Sequence, residues 1–259
     1  MITAGGPGRV YGARRSDIRP LAAMGATPWP VLPPASKGVD FRSFVPRVEA
    51  QGDTSKCLGE AFEDSRRVAV KGKGGLGSPT SVYEGARLRE RLRRGDALPD
   101  TGCMPADAAN HIVAVGFEPW DARDDGGSVT VNDLDTWVEA ASARRMSLDD
   151  LVVLADGDTD SLERWLTWGA LNDHPVAATF VMQVDENYEN LTGSSPVWTP
   201  GGRVLGGHGQ CVVGYSPSDF IVLNSWGTGW GDAGYSYIPR ATFAAQASEI
   251  ILLKGGPVL

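Results

Sequence analysis

Cysteine is scarce in this chain, and its distribution excludes two common roles. The 259 residues include three cysteines, Cys57, Cys103 and Cys211. An odd number at such wide spacing does not make a disulfide framework. No two of them stand at the Cys-x-x-Cys spacing of a structural zinc site, so no metal is expected. Free thiols are typical of a reducing compartment.

Long apolar runs and an excess of basic charge are also missing. The N-terminus lacks the apolar core of a signal peptide, and no stretch has the ~18 apolar residues that cross a bilayer. The net charge of −8 disfavours nucleic-acid binding. The one basic run, Arg87 to Arg94, contains Glu90 and predicts a solvated helix face. We therefore expect a cytoplasmic protein without a nucleic-acid or membrane partner; export and association with a virion stay open as alternatives.

Helical and strand patterns occupy different halves of the chain. Residues 1–37, rich in Gly, Pro and Ala, predict an extended segment over the surface. A short strand is expected at VDFRSFVPRV, and a helix begins near Ser55 with Thr54 or Ser55 as its N-cap. Further helices are expected near Val82–Arg94, Ala106–Val115, Leu134–Ser142 and Ser161–Gly169.

The C-terminal third reads as β-rich runs separated by turn residues. Helices followed by strands predict an α+β fold. We expect an extended segment over 1–37 and one domain over 38–259, with a helical lobe at about 55–150 and a β-rich lobe at about 170–255. The acidic stretch 118–150 has the character of an insertion.

Cys57 has the most favourable setting for a nucleophile. It stands at the start of a predicted helix, where the macrodipole and the free N–H groups stabilise a thiolate, and Lys56 adds positive charge. The alternative is ordinary core packing. Cys211 lies in a buried-strand pattern and Cys103 in a turn before a helix, so we expect structural roles for both.

His208 has the most favourable setting among the three histidines. It stands in LGGHGQC, where flanking glycines let another backbone approach closely. His111 lies within a predicted helix and His174 in a loop, and both are expected to be structural or surface residues.

Three segments together resemble the active-site motifs of the papain-like (C1) cysteine peptidases. They read QGDTSKC at 51–57, LGGHGQCVVGY at 205–215 and NSWGTGWGDAGY at 224–235. The order Gln, Cys, His, Asn and the separations between them are similar to the family pattern. The resemblance covers roughly residues 38–253 and implies two lobes with a cleft between them, of a bacterial or phage type without a long propeptide.

The resemblance implies a role for each matching residue. Cys57 is the nucleophile, His208 its general base, and Asn224 orients His208. Gln51 and the Cys57 N–H donate to the oxyanion. Trp226 covers the histidine–asparagine pair; Trp230, Gly207 and Trp226 form a second group that contacts substrate or supports the catalytic residues. The substrate is a peptide or protein, and no metal or organic cofactor is required.

Departures from the family pattern leave alternatives. Leu58 follows the nucleophile in place of an aromatic residue, and Thr54 stands where a disulfide-bonded cysteine is common. Met104 and Pro105 replace a glycine pair of the substrate-binding wall, so substrate preference does not transfer. The competing functions are a cell-wall peptide amidase or transpeptidase, and a non-catalytic module of a larger assembly. A short N-terminal plug of the cleft is a further alternative.

Overall fold

The computed structural model describes residues 11–17, 30–95, 101–120, 124 and 150–255. Helices dominate the first part of the chain and strands the second. The helices are α1 (Cys57–Ala69), α2 (Pro79–Arg94), α3 (Pro105–Ala114), α4 (Thr159–Leu171), α5 (Glu186–Glu189) and α6 (Arg240–Gln246). The strands are β1 (Val39–Asp40), β2 (Leu151–Val153), β3 (Ala177–Asp185), β4 (Val204–Tyr215), β5 (Asp219–Leu223), β6 (Tyr235–Pro239) and β7 (Ser248–Leu253).

The strands form one seven-stranded sheet in the order β2-β7-β3-β4-β5-β6, with β1 added beside β4. Every named pair in it is antiparallel. Strand β4 is long and central, and His208 in it lies opposite Met182 of β3. Helices next to an antiparallel sheet confirm the predicted α+β class.

Helix α1 is buried along its whole length because it lies between the sheet and the other helices. Its polar side chains are therefore matched by polar partners. Ser65 Oγ lies 3.0 Å from Thr179 Oγ1 and 3.2 Å from Cys211 Sγ on the sheet. Apolar residues form two clusters, a large one around the sheet and a smaller one around α1, α2 and α3. Cys57 belongs to the smaller cluster, at the junction of the two.

Three boundaries differ from the sequence-based expectation. Helix α1 begins at Cys57, and neither Thr54 nor Ser55 is its N-cap. Thr54 Oγ1 donates to the Gln51 carbonyl instead, at 2.6 Å, which tightens the preceding turn. The strand expected from Val39 onward is only two residues long. Asp40 Oδ1 accepts a hydrogen bond from the Arg42 N–H, and a short 3-10 helix follows.

The helices α2, α3 and α4 match their predicted positions within a few residues. Ser78 and Asp158 cap α2 and α4 by accepting a hydrogen bond from the third helical N–H, at 3.0 Å each. The helix predicted at Leu134–Ser142 falls outside the described residues. In the part of the chain that the structure describes, no helix combines the length and apolarity needed to span a bilayer.

Gly59 sets how closely α1 approaches α2, and its substitution tests this packing. A Cβ at this position would lie 2.1 Å from the Pro79 carbonyl oxygen. Gly59→Ala should lower the free energy of unfolding by about 1–3 kcal/mol, despite the higher helix propensity of alanine, because the backbone must shift. Urea denaturation measures the effect. Gly229→Ala is the matched control, since a Cβ there meets nothing within 4 Å; equal stability losses would show that the contact is loose.

Candidate active site

His208 and Asn224 are brought together by neighbouring strands. His208 lies in β4, and Asn224 follows the end of β5. His208 Nε2 lies 2.7 Å from Asn224 Oδ1, and the same oxygen accepts the Ser225 N–H at 2.8 Å. The Ser225 donor identifies the contacting atom as the amide oxygen, so Nε2 must carry the proton. The other ring nitrogen, Nδ1, is then the one that can accept a proton.

Cys57 Sγ is placed against the strand that carries His208. The Gly209 N–H points at the sulfur, with 3.4 Å between the nitrogen and Sγ. This approach needs a glycine, because a Cβ on residue 209 would lie 2.7 Å from Leu58 Cδ2. The expected nucleophile, Cys57, therefore contacts Gly209 of β4, the residue that directly follows the expected base, His208.

Gln51 is tied to the segment that carries Asn224. Its N–H donates to the Ser225 carbonyl at 2.8 Å, and its Oε1 accepts from Ser225 Oγ at 2.7 Å. Its side-chain nitrogen donates to the Thr54 carbonyl at 2.8 Å. A cavity of about 360 Å³ lies beside it, lined by residues 47–54, Lys56, Trp120 and Asp124.

Trp226 covers the His208 ring, and Trp230 packs behind it. The Trp226 and His208 rings are stacked, with centroids 4.7 Å apart and planes 25° from parallel. Trp230 meets Trp226 edge-on at 5.0 Å, is buried, and donates its indole N–H to the Glu189 carbonyl at 3.0 Å. Its position favours packing over contact with substrate.

Residues 11–17, which we call the strap, cross the site between the two walls of the cleft. The Ala13 N–H donates to the Gly207 carbonyl at 3.0 Å on the wall formed by the sheet. On the helical wall, the Cys103 N–H donates to the Gly12 carbonyl at 3.0 Å and the Arg14 N–H to the Cys103 carbonyl at 3.1 Å. The prediction that residues 1–37 all lie over the surface is therefore wrong for the strap: Tyr11 and Ala13 are buried because both walls bind its backbone.

The side chains of Tyr11 and Arg14 also hold the strap in place. Tyr11 packs edge-on against His208 and Trp226, and its hydroxyl donates to Glu189 at 2.8 Å. Arg14 forms an ion pair with buried Glu90.

The strap also contacts the basic run of α2. Asp17 pairs with Arg93 at 2.9 Å and with Arg94 at 2.7 Å. The prediction of a solvated face agrees with residues 91–94, which are exposed, but not with Glu90, which is buried and pairs with Arg14.

Burial under the strap sets the electrostatics of Cys57. Cys57 and His208 are both 0% exposed. Loss of water raises the pKa of the Cys57 thiol, and backbone hydrogen bonds from Gly209 and Gly12 oppose this rise. The closed site therefore favours the neutral thiol.

The Lys56 ammonium contacts groups other than the Cys57 thiol. It lies 3.3 Å from Glu60 Oε1 and donates to the Asp124 carbonyl at 3.0 Å. Burial raises the pKa of Glu60 to about 8, and the Lys56 charge opposes that shift.

The other cysteines and histidines lie where structural roles are expected. Cys211 is buried in the sheet core, and burial raises its thiol pKa. Cys103 is buried in the helical wall, and its backbone binds the strap. His111 is buried in α3, where burial lowers its pKa to about 3. His174 packs against Trp168 with ring centroids 5.8 Å apart.

Sequence comparison finds one family model that is similar to part of the chain. A model described as the papain family cysteine protease matches residues 136–251, the segment that contains His208 and Asn224. The matched segment is a little less than half of the chain, and over it the predicted resemblance to this family is confirmed.

Curated relatives match parts of the chain. An uncharacterized peptidase C1-like protein of Acanthamoeba polyphaga mimivirus is 28% identical over 127 residues, 47% of this chain and 41% of that protein. Papain of Carica papaya is 51% identical over 35 residues, 14% of this chain and 10% of papain. The chain thus aligns with less than half the length of these relatives.

Solved structures confirm the papain-like fold. Xylellain, a cysteine protease from Xylella fastidiosa, superimposes with a TM-score of 0.70 at 19% identity, over 95% of this chain and 96% of that one. The Carica candamarcensis cysteine protease CMS1MS2, solved with E-64, gives a TM-score of 0.59 at 17% identity, over 86% of this chain and 100% of that one.

Unseating the strap should activate Cys57 toward alkylation. Gly12→Val places a side chain against the Ser55 carbonyl oxygen, which lies 2.6 Å from an ideal Cβ at Gly12. The rate of iodoacetamide labelling should rise about tenfold or more, since it scales with the open fraction. Its pH midpoint should move to lower pH, because a hydrated thiol loses the burial that raises its pKa.

Intact-mass kinetics between pH 5 and 10 measure both effects. Gly193→Val is the control, since residue 193 has only an ordinary contact at 3.6 Å. Unchanged rate and midpoint in Gly12→Val would contradict the shielding of Cys57 by the strap.

Proposed function

We propose that this chain is a cysteine peptidase that hydrolyses peptide bonds and rests with its cleft closed by the strap. The observation that carries the proposal is the joint placement of Cys57 Sγ at the Gly209 N–H and of His208 at Asn224 Oδ1. A nucleophile, a base and a group that orients the base are the minimum set for acyl transfer through a thiolate.

The reaction would use these groups in turn. The Cys57 thiolate attacks the scissile carbonyl, and His208 gives its proton to the leaving amine as the thioester forms. Water that His208 deprotonates then attacks the thioester and releases the acid and the thiol. The Cys57 N–H and the Gln51 side-chain amide are the proposed donors to the oxyanion.

Asn224 would hold the histidine in the reactive tautomer. Its oxygen accepts the Nε2 proton, which leaves Nδ1 to exchange a proton with the sulfur. The Trp226 ring lies over this pair and limits the access of water, so the hydrogen bond operates in a medium of low dielectric.

The closed cleft supports one competing function, a non-catalytic module. Strap residues occupy the space that a substrate backbone needs, and Cys57 is inaccessible in this state. The two functions differ in whether the site turns over once the strap is unseated. A peptide or protein substrate and a reducing compartment, for which the cytoplasm is our proposal, go with the peptidase function.

Turnover by the 259-residue chain with Gly12→Val tests the peptidase. Cleavage of quenched fluorescent peptides should be abolished by adding Cys57→Ser, because the hydroxyl is not ionised at neutral pH. Asn224→Ala should lower kcat about 10- to 100-fold, less than the full ~10²–10⁴-fold contribution of general acid–base catalysis, since cysteine and histidine remain.

Cys211→Ala, in the sheet core, is the matched thiol control and should retain activity. Full turnover in the Cys57→Ser protein would rule out the assigned nucleophile. No turnover and no thioester in the folded Gly12→Val chain would favour the non-catalytic module.

A further inference from the structure

Glu90 is a fully buried carboxylate at the wall of the cleft, and a strap side chain reaches it. Its side chain is 0% exposed, whereas Arg14 is 29% exposed. Arg14 Nη1 donates to Glu90 Oε1 at 2.9 Å, and its other terminal nitrogen contacts Oε2. The guanidinium also donates to the Gly102 carbonyl at 3.0 Å. Two carboxylate oxygens and a carbonyl thus surround one planar cation, the arrangement that suits arginine.

The Arg14–Glu90 ion pair lies at a defined distance along the strap from Cys57. Gly12 lies against the turn that precedes Cys57, since an ideal Cβ on it would be 2.6 Å from the Ser55 carbonyl oxygen, and Arg14 stands two residues further along the strap. Gly12 and Ala13 bind Cys103 on one wall and Gly207 on the other through their backbones. In an extended chain, the Arg14 side chain therefore enters the helical wall about 7 Å along the strap from Gly12.

The helical wall at Gly102 leaves room for another backbone to pass close to it. Gly102 has φ +85°, and a Cβ on it would overlap the Gly12 carbonyl. A peptide that follows the path of the strap would run close to Gly102 and present a side chain to Glu90.

Departure of the strap would leave Glu90 poorly compensated. Arg94 Nε lies 3.2 Å from Glu90 Oε1 and would stay as a partner of that oxygen. The partner of Glu90 Oε2 among the described residues is Arg14, which leaves with the strap. A buried carboxylate that loses a partner is strongly destabilised. A cation supplied by a substrate restores that partner, and a neutral side chain does not.

We propose that Glu90, with the Gly102 carbonyl, forms an acidic subsite that selects peptides with arginine two residues from the reacting position, on the Cys103 side of the cleft. This rests on the proposed peptidase function. Arg14 occupies the subsite in the closed state and is displaced by the substrate arginine. Lysine binds less well because it lacks the planar fork, and glutamine or methionine less well still.

Binding is tested first, without catalysis. The 259-residue chain with Gly12→Val, Arg14→Gln and Cys57→Ser leaves the subsite empty and the nucleophile inert. The probes are the heptapeptide of residues 11–17 and the same peptide with Arg14→Gln. Calorimetry should show a loss of at least about tenfold in affinity for the neutral peptide. Adding Glu90→Gln to the protein should remove the difference between the two peptides.

Asp160→Asn is the control for the change in net charge. Asp160 is exposed and pairs with Arg164 outside the cleft, so the arginine preference should persist. If Glu90→Gln does not fold, the peptide pair together with Arg14→Lys decides: equal affinities of all three peptides overturn the subsite.

Cleavage is tested second, by mass-spectrometric profiling of a peptide library with the Gly12→Val, Arg14→Gln chain. The expected result is enrichment of arginine two residues from the scissile bond, which is lost with Glu90→Gln and kept with Asp160→Asn. Cleavage without arginine enrichment overturns the subsite and leaves the peptidase intact. Arginine-dependent binding without any cleavage overturns the peptidase and supports the subsite.

Discussion

The contact between the first turn of α1 and the middle of β4 is the constraint on which the rest of the site depends. Gly209 has no side chain, so Leu58 lies directly on the strand and the Gly209 N–H reaches Cys57 Sγ. This contact places the helix N-terminus, where a thiolate is stabilised, beside the strand that carries His208. The two apolar clusters meet at the same place. Close packing at this junction therefore supports both the stability of the fold and the alignment of the reacting atoms.

The narrow cleft follows from small residues on both walls. A Cβ on Gly207 would lie 2.1 Å from the Ala13 carbonyl oxygen, and Gly102 has no room for one. Backbone can therefore bind backbone across the cleft, which is how the strap is held. Its charged anchors, Arg14 and Asp17, add interactions that are screened by salt where they are exposed. The same fit that would position a substrate thus accommodates the chain's own N-terminal segment.

Sequence patterns predicted the secondary-structure elements better than they predicted the contents of the cleft. The α+β class and the papain-like fold followed from segregated periodicities and three motif strings, and both are confirmed. The roles of Cys57, His208, Asn224 and Gln51 remain predictions, although the structure brings His208 to Asn224 and ties Gln51 to Ser225. The boundary of α1 was missed because Thr54 bonds a turn carbonyl instead of a helix N–H.

A short N-terminal plug of the cleft was among the alternatives, but the residues that form the strap and the position of Glu90 were not predicted, for a physical reason. The strap is held by hydrogen bonds between backbones more than 80 residues apart, such as Cys103 with Gly12, and local periodicity carries no trace of these. Glu90 lies in an arginine-rich run whose composition is typical of a solvated face. Only the fold shows that this carboxylate is turned inward toward Arg14.

The most direct test of the central claim is reaction with an epoxide inhibitor of papain-like proteases, followed by intact mass and peptide mapping. The account predicts one adduct on Cys57, formed faster in the Gly12→Val chain than in the native chain and lost in His208→Ala. No adduct on the folded Gly12→Val chain, or equal labelling after His208→Ala, would contradict an activated thiolate at this site.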